Sequence, residues 1–154
     1  MESHEINIQP ELPVLLKWLH RVAIEPPDQS IRGGTQVNLR EIGKYKVIRA
    51  FRREMAKAIT ERIGPDWRFE GIWSNSLNSG GFHVKHVHPK GWLSGVCYID
   101  IPDDTSGLFR VGDKTIRPQG GKWFLFPSNL SHEVTIYRGL APRLSIAFDI
   151  ARTA

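Results

Sequence analysis

Two stretches near the start of the chain repeat their apolar residues at helical spacing. ELPVLLKWLHRVAI (11–24) follows a proline-flanked start, and in residues 44–63 Val47, Ile48, Phe51, Met55, Ala58 and Ile59 fall along one side of a helix. Gly64-Pro65 is a stop signal for the second helix. The intervening PPDQSIRGGTQVNL reads as a loop turning at Gly33-Gly34. From Trp67 the period shortens to that of strands. WRFEGIWSN, GGFHVKHVH, WLSGVCYIDI, SGLFRVG, KWFLFP, HEVTIY and RLSIAFDI follow one another with turn residues between them. That density of short strands predicts a mainly β fold, an antiparallel sandwich or barrel. The organisation expected is a single domain over 1–154, with helical support over 1–66 and a β core over 67–151.

Composition narrows the class. About 150 residues are enough to bury a core, and an apolar fraction of 40% with 24% charged residues is that of a soluble globular protein. No apolar run approaches the ~20 residues that span a bilayer, and MESHEINIQP lacks the pattern of a secretory signal. With Cys97 alone, no intrachain disulfide can form, which fits a reducing cytoplasm. The net charge of +5 is spread along the chain and mixed with acids. Its densest stretch, KYKVIRAFRREMAK, is the solvated face of the second helix, so nucleic acid is not the expected partner.

The candidate chemistry begins at HVKHVH. Side chains two apart on a strand share a face, so His86 and His88 converge, whereas His83 falls on the other side of an unbroken strand. A His-x-His pair supplies two neighbouring ligands to one metal. In GGKWFLFPSNLSHEVTIY, His132 opens a later strand and provides a third. Three protein ligands leave a metal open positions for substrate and oxygen. In RLSIAFDI, Arg143 and Ser145 share one face while Leu144, Ile146 and Phe148 share the other. An inward guanidinium with a hydroxyl beside it is a receptor for a carboxylate. Trp73, Asn75 and Asn78 precede the histidine strand and are candidates for the substrate pocket.

Together IRGGTQ, HVHP followed by LSGVCYID, LFPSNLSH and RLSIAFD resemble the Fe(II)- and 2-oxoglutarate-dependent oxygenases, in particular an uncharacterised bacterial branch. The resemblance implies a double-stranded β-helix, or jelly roll, with Fe(II) as cofactor, 2-oxoglutarate as cosubstrate and O2 as oxidant. It makes His86 the first metal ligand, His132 the distal one, Arg143 the holder of the distal carboxylate of 2-oxoglutarate and Ser145 its partner. Tyr98 matches a tyrosine that touches the same carboxylate in prolyl-hydroxylase-like relatives. The implied substrate is a small molecule, an amino acid or a peptide.

The departure is at position 88, where the family pattern His-x-Asp has a carboxylate and this chain has His88. Three readings stand side by side. His88 is the third ligand, as in the three-histidine sites of cupin dioxygenases, whose two motifs G-x5-HxH from Gly80 and G-x5-P-x-N-x2-H from Gly121 resemble; or the site holds two protein ligands; or it borrows Asp100 or Asp149. A three-histidine site that needs no cosubstrate, and a jelly roll that binds a ligand without turnover, are the competing functions.

Overall fold

The two amphipathic segments form helices that lie on one face of a curled sheet. The computed structural model describes residues 1–23, 30–40, 44–89 and 91–153. In chain order come β1 (Ser3–Glu5), α1 (Glu11–Val22), β2 (Ile31–Asn38), α2 (Lys46–Ile63), β3 (Trp67–His86), β4 (Leu93–Asp100), β5 (Phe109–Val111), β6 (Lys114–Ile116), β7 (Lys122–Pro127), β8 (His132–Val134) and β9 (Arg143–Arg152). The expected end of the first helix at Ile24, and residues 26–29 of the expected loop, lie outside the described residues. In α2 the buried positions Ile48, Phe51, Met55 and Ile59 follow the helical period. The helix stops at Gly64, whose φ of 84° suits a residue without Cβ and whose N–H donates to the Thr60 carbonyl at 2.9 Å.

The strands form one antiparallel sheet in the order β1-β7-β4-β9-β3-β8-β5-β6, and β2 pairs with β3 beside that path. Two expectations are corrected here. WRFEGIWSN and GGFHVKHVH are not separate strands but one 20-residue strand, β3, whose first half pairs with β9 and whose end pairs with β8. The exchange of partners along a single strand curls the sheet. IRGGTQVN is not a loop but β2, paired with β3 from Ile31 opposite His83 to Asn38 opposite Trp73. Its two glycines misled because they mark a bulge rather than a turn. The register slips between Arg32 and Gly34, and Gly33 takes up the slip at φ 66°. The N-terminal third thus supplies strands β1 and β2 to the sheet as well as both helices.

The strand period divides the interior in two. Leu144, Ile146, Phe148 and Ile150 of β9, with Cys97 and Ile99 of β4 and Trp123 of β7, pack against Leu12, Leu16 and Leu19 of α1 and the buried row of α2. Burying each large apolar side chain contributes roughly 1.5–3 kcal/mol, which fixes which face of each strand meets the helices. The opposite face gathers Ile31, Leu77, Tyr98, Phe109, Phe124, Phe126, Val134 and Tyr137. Cys97 is fully buried, and burial pushes its thiol well above the ordinary range, which makes it a core residue rather than a nucleophile. No helix among the described residues is long and apolar enough to cross a membrane.

Candidate metal centre

His86 ends β3, His132 begins β8, and the two stand directly opposite in the register, with ring centroids 4.2 Å apart. His88 follows two residues after the strand, held by its N–H donating to the Ser128 carbonyl at 3.0 Å. One ligand nitrogen from each of His86, His88 and His132 lies within 4.8 Å of the others. Among the described residues this is the one cluster of its kind.

The hydrogen bonds assign the tautomers. Nδ1 of His86 faces the Val84 carbonyl at 2.7 Å, and Nδ1 of His132 faces the Leu130 carbonyl at 3.0 Å. A carbonyl only accepts, so both nitrogens carry the proton and both Nε2 lone pairs remain available. Nδ1 of His88 stands 2.9 Å from Oδ2 of Asp149, which commits it in the same way. All three Nδ1 atoms are therefore engaged, and outer hydrogen bonds of this kind orient metal-binding histidines. Burial lowers the pKa of His132 to about 4, assisted by the neighbouring His86 and His88 and opposed by its bond to Leu130. A neutral imidazole is the ligand form.

The two carboxylates considered as ligands have different positions. Asp100 has the parity of Tyr98 in an unbroken strand, but the register between β4 and β9 slips between Tyr98 and Asp100. Its carboxylate is paired with Lys17 of α1 at 2.9 Å, away from the histidines. Asp149 reaches the cluster through His88 rather than beside it. His83 also differs from expectation. Parity in an unbroken strand turned it outward, yet it lines the same cavity as His86 and His88. Three steps along β3, from His83 to His86, match two steps on β8, from Val134 to His132, and this bulge rotates His83 inward.

The cavity continues from the histidines to Arg143. Arg143 is 3% exposed, and one of its nitrogens, Nη1, donates to the Gly107 carbonyl at 2.7 Å. Gly107 is small because it must be, since a Cβ there would lie 2.7 Å from Nη1. The faces of Tyr98 and Tyr137 flank the guanidinium at 5.9 and 5.7 Å. Among the described residues no carboxylate pairs with it. Ser145 lies across from Tyr98 in the register, and the buried Tyr98 hydroxyl has no hydrogen-bond partner among the described residues. A buried cation without a carboxylate and a buried hydroxyl without a hydrogen bond, among the described residues, form a receptor for an anion.

Trp73 and Asn75 line this cavity, with the Trp73 ring parallel to that of His88 at 6.4 Å, whereas Asn78 lines a groove beside α1 instead. Gln36 and Ser94 line it unannounced by the sequence. Gln36 donates to the Asn75 side-chain carbonyl at 3.1 Å, and nothing in a presumed loop pointed to it. Ser94 has the parity of Tyr98 on β4, a signal that could have found it.

Comparison with known proteins follows the same residues. The sequence model of a family described as "Putative 2OG-Fe(II) oxygenase" matches residues 71–115 and 111–149, together half of the chain. No curated protein matches. Among solved structures, a Pseudomonas putida prolyl-4-hydroxylase is similar over 99% of this chain and 92% of its own, with TM-score 0.74 and 16% identity. A viral collagen prolyl hydroxylase from Paramecium Bursaria Chlorella virus-1, solved with 2-oxoglutarate, is similar over 97% and 96%, with TM-score 0.67 and 15% identity. HygX from Streptomyces hygroscopicus, solved with nickel and 2-oxoglutarate, is similar over 93% and 78%, with TM-score 0.65 and 11% identity. These structures share the curled, mostly antiparallel β architecture with its helices. Because the family match runs through the segment that carries both histidine motifs and the arginine strand, the chain belongs to the 2OG-Fe(II) oxygenase family, dioxygenases that use Fe(II), 2-oxoglutarate and O2.

Proposed function

We propose that the chain is a hydroxylase built as one domain, a double-stranded β-helix whose core over 67–151 is supported by the helices and two added strands of 1–66. In this reading His86, His88 and His132 hold Fe(II), and Arg143, Ser145 and Tyr98 hold 2-oxoglutarate. The carrying observation is the buried Arg143, which has no carboxylate partner among the described residues and lines the same cavity as the three clustered histidines. The donor set suits a divalent transition metal, because imidazole serves Fe(II) and three protein ligands leave room for a chelating cosubstrate.

Fe(II) and 2-oxoglutarate, when bound, supply oxygen activation, with one oxygen atom of O2 ending in succinate and the other in the product. The residues of the chain bind, orient and dry the reaction. Arg143 offers the nitrogens not engaged by Gly107 to the distal carboxylate, and Tyr98 adds its hydroxyl, so the cosubstrate lies along the cavity toward the histidines. Phe109, Phe126 and Val134 line the walls with apolar surface and exclude water. Trp73 and Asn75 flank the remaining space, where a small-molecule, amino-acid or peptide substrate fits.

Anaerobic titration with Fe(II) and 2-oxoglutarate, followed by succinate measurement on admitting O2, tests this reading. We expect a visible charge-transfer band and Fe(II)-dependent succinate, both lost in His132→Ala and reduced at least tenfold in Arg143→Ala. Oxygen uptake indifferent to 2-oxoglutarate would instead identify a three-histidine dioxygenase without cosubstrate. A protein with no band and no turnover would be a binding module.

A further inference from the structure

We propose that Asp149 is a positioning residue for the metal centre, supplying through His88 the negative charge that a directly bound carboxylate supplies elsewhere in the family. This rests on the reading of His86, His88 and His132 as ligands. Position 88 carries an imidazole, so the ligand set itself is neutral. The missing charge lies one hydrogen bond further out.

Both oxygens of Asp149 are engaged. Oδ2 accepts from Nδ1 of His88 at 2.9 Å, and Oδ1 accepts from the Ser94 hydroxyl at 2.7 Å. Ser94 spends its proton there, so its 2.9 Å contact with Ser128 is a bond donated by Ser128. The carboxylate thus links two buried serines to a ligand ring, accepting a hydrogen bond from each side. The backbone fixes both ends. Asp149 pairs in register with Ser94 of β4 and Gly71 of β3, while the peptide N–H of His88 is tied to the Ser128 carbonyl.

Two consequences follow for the ring. The bond holds the proton on Nδ1, so Nε2 is the nitrogen that would ligate a metal. The carboxylate also raises the basicity of the ring it holds. A dicationic metal, three neutral imidazoles and one aspartate carry a single net positive charge, which is the charge of a metal held by two histidines and a carboxylate. The difference is that the anion is displaced from the metal by the width of an imidazole, which leaves the coordination position to a neutral donor.

Co(II) binding under anaerobic conditions, followed by calorimetry and by its visible ligand-field bands, tests the role without reference to turnover. Asp149→Asn keeps an acceptor for His88 but removes the charge, and we expect roughly tenfold weaker Co(II) binding with shifted bands. Asp149→Ala removes both and should weaken binding by up to about 100-fold. Ser94→Ala, which loosens the carboxylate from behind, should show a smaller loss in the same direction and serves if Asp149→Ala fails to fold. Unchanged affinity and bands in folded Asp149→Asn and Asp149→Ala overturn the proposal. So does a loss in Asp149→Asn as large as that in His88→Ala, which would make Asp149 itself the ligand. If the unaltered protein takes up no Co(II), or His132→Ala binds it as well as the unaltered protein, the ligand assignment itself fails.

Discussion

At the scale of single residues, the histidines were legible because their geometry is local. The i, i+2 spacing of His86 and His88 reports convergence directly, and His132 was recognisable as the opening of a later strand. Arg143 was legible by alternation along its strand, whereas Tyr98 was singled out by the family resemblance. Asp100 and His83 were misread for the reciprocal reason, because a bulge shifts parity and leaves no mark in the sequence. Tyr98 allows a test with two signs. Burial pushes its phenol up to about 12, with Arg143 pulling the other way, so the hydroxyl stays protonated and able to donate. Tyr98→Phe removes a buried hydroxyl that has no partner among the described residues, so the protein without cosubstrate should gain about 1 kcal/mol in chemical denaturation. The same substitution should raise the KM for 2-oxoglutarate about tenfold, the equivalent of one hydrogen bond to a charged group. A loss of stability together with an unchanged KM would remove Tyr98 from the cosubstrate site.

At the scale of elements, the helices and β9 were readable because each carries a full period of apolar residues. β2 was not, because its sequence, IRGGTQVN, is weak in apolar alternation and is made a strand by its neighbour. Val37 and Ile31 are buried, but Thr35 and Gln36 are held by side-chain bonds that no periodicity encodes. Thr35 bonds Nδ1 of His20 at 2.8 Å, and Gln36 bonds Asn75. The strand pairing leaves no room at Gly34, where a Cβ would lie 2.4 Å from the Ser76 carbonyl oxygen. Gly34→Ala must therefore push backbone from backbone, and we expect a loss of about 2–3 kcal/mol in the urea transition. Gly120→Ala, where the nearest atom is 3.8 Å away, should change stability by no more than about 0.5 kcal/mol. Equal effects of the two would contradict the tight β2–β3 pairing.

At the scale of the whole molecule, the helix layer is coupled to the sheet by a polar contact as well as by the apolar core. His20 of α1 bridges Thr35 of β2 and Ser74 of β3 at 2.8 and 2.9 Å, and burial lowers its pKa from 6.5 to about 4. The unfolded chain takes up the proton first, so between pH 6.5 and 4 it binds more protons than the folded chain and stability falls as pH falls. Above that window the contribution is constant. Allowing for partial exposure, His20 accounts for about 1 kcal/mol of the loss. Thermal melts of the metal-free protein should decline across this range, and the decline should be shallower in His20→Asn; an equal slope in both would assign the acid sensitivity elsewhere. The cavity has a dimensional consequence. Arg143 sits on β9 and the histidines on or beside β3 and β8, so the separation of the two ends of the cavity depends on how the sheet curls. On the proposed reading, with the two ends of the cosubstrate held by different strands, a 2-oxo diacid one methylene shorter or longer than 2-oxoglutarate should bind more weakly than 2-oxoglutarate itself, which a competition titration checks.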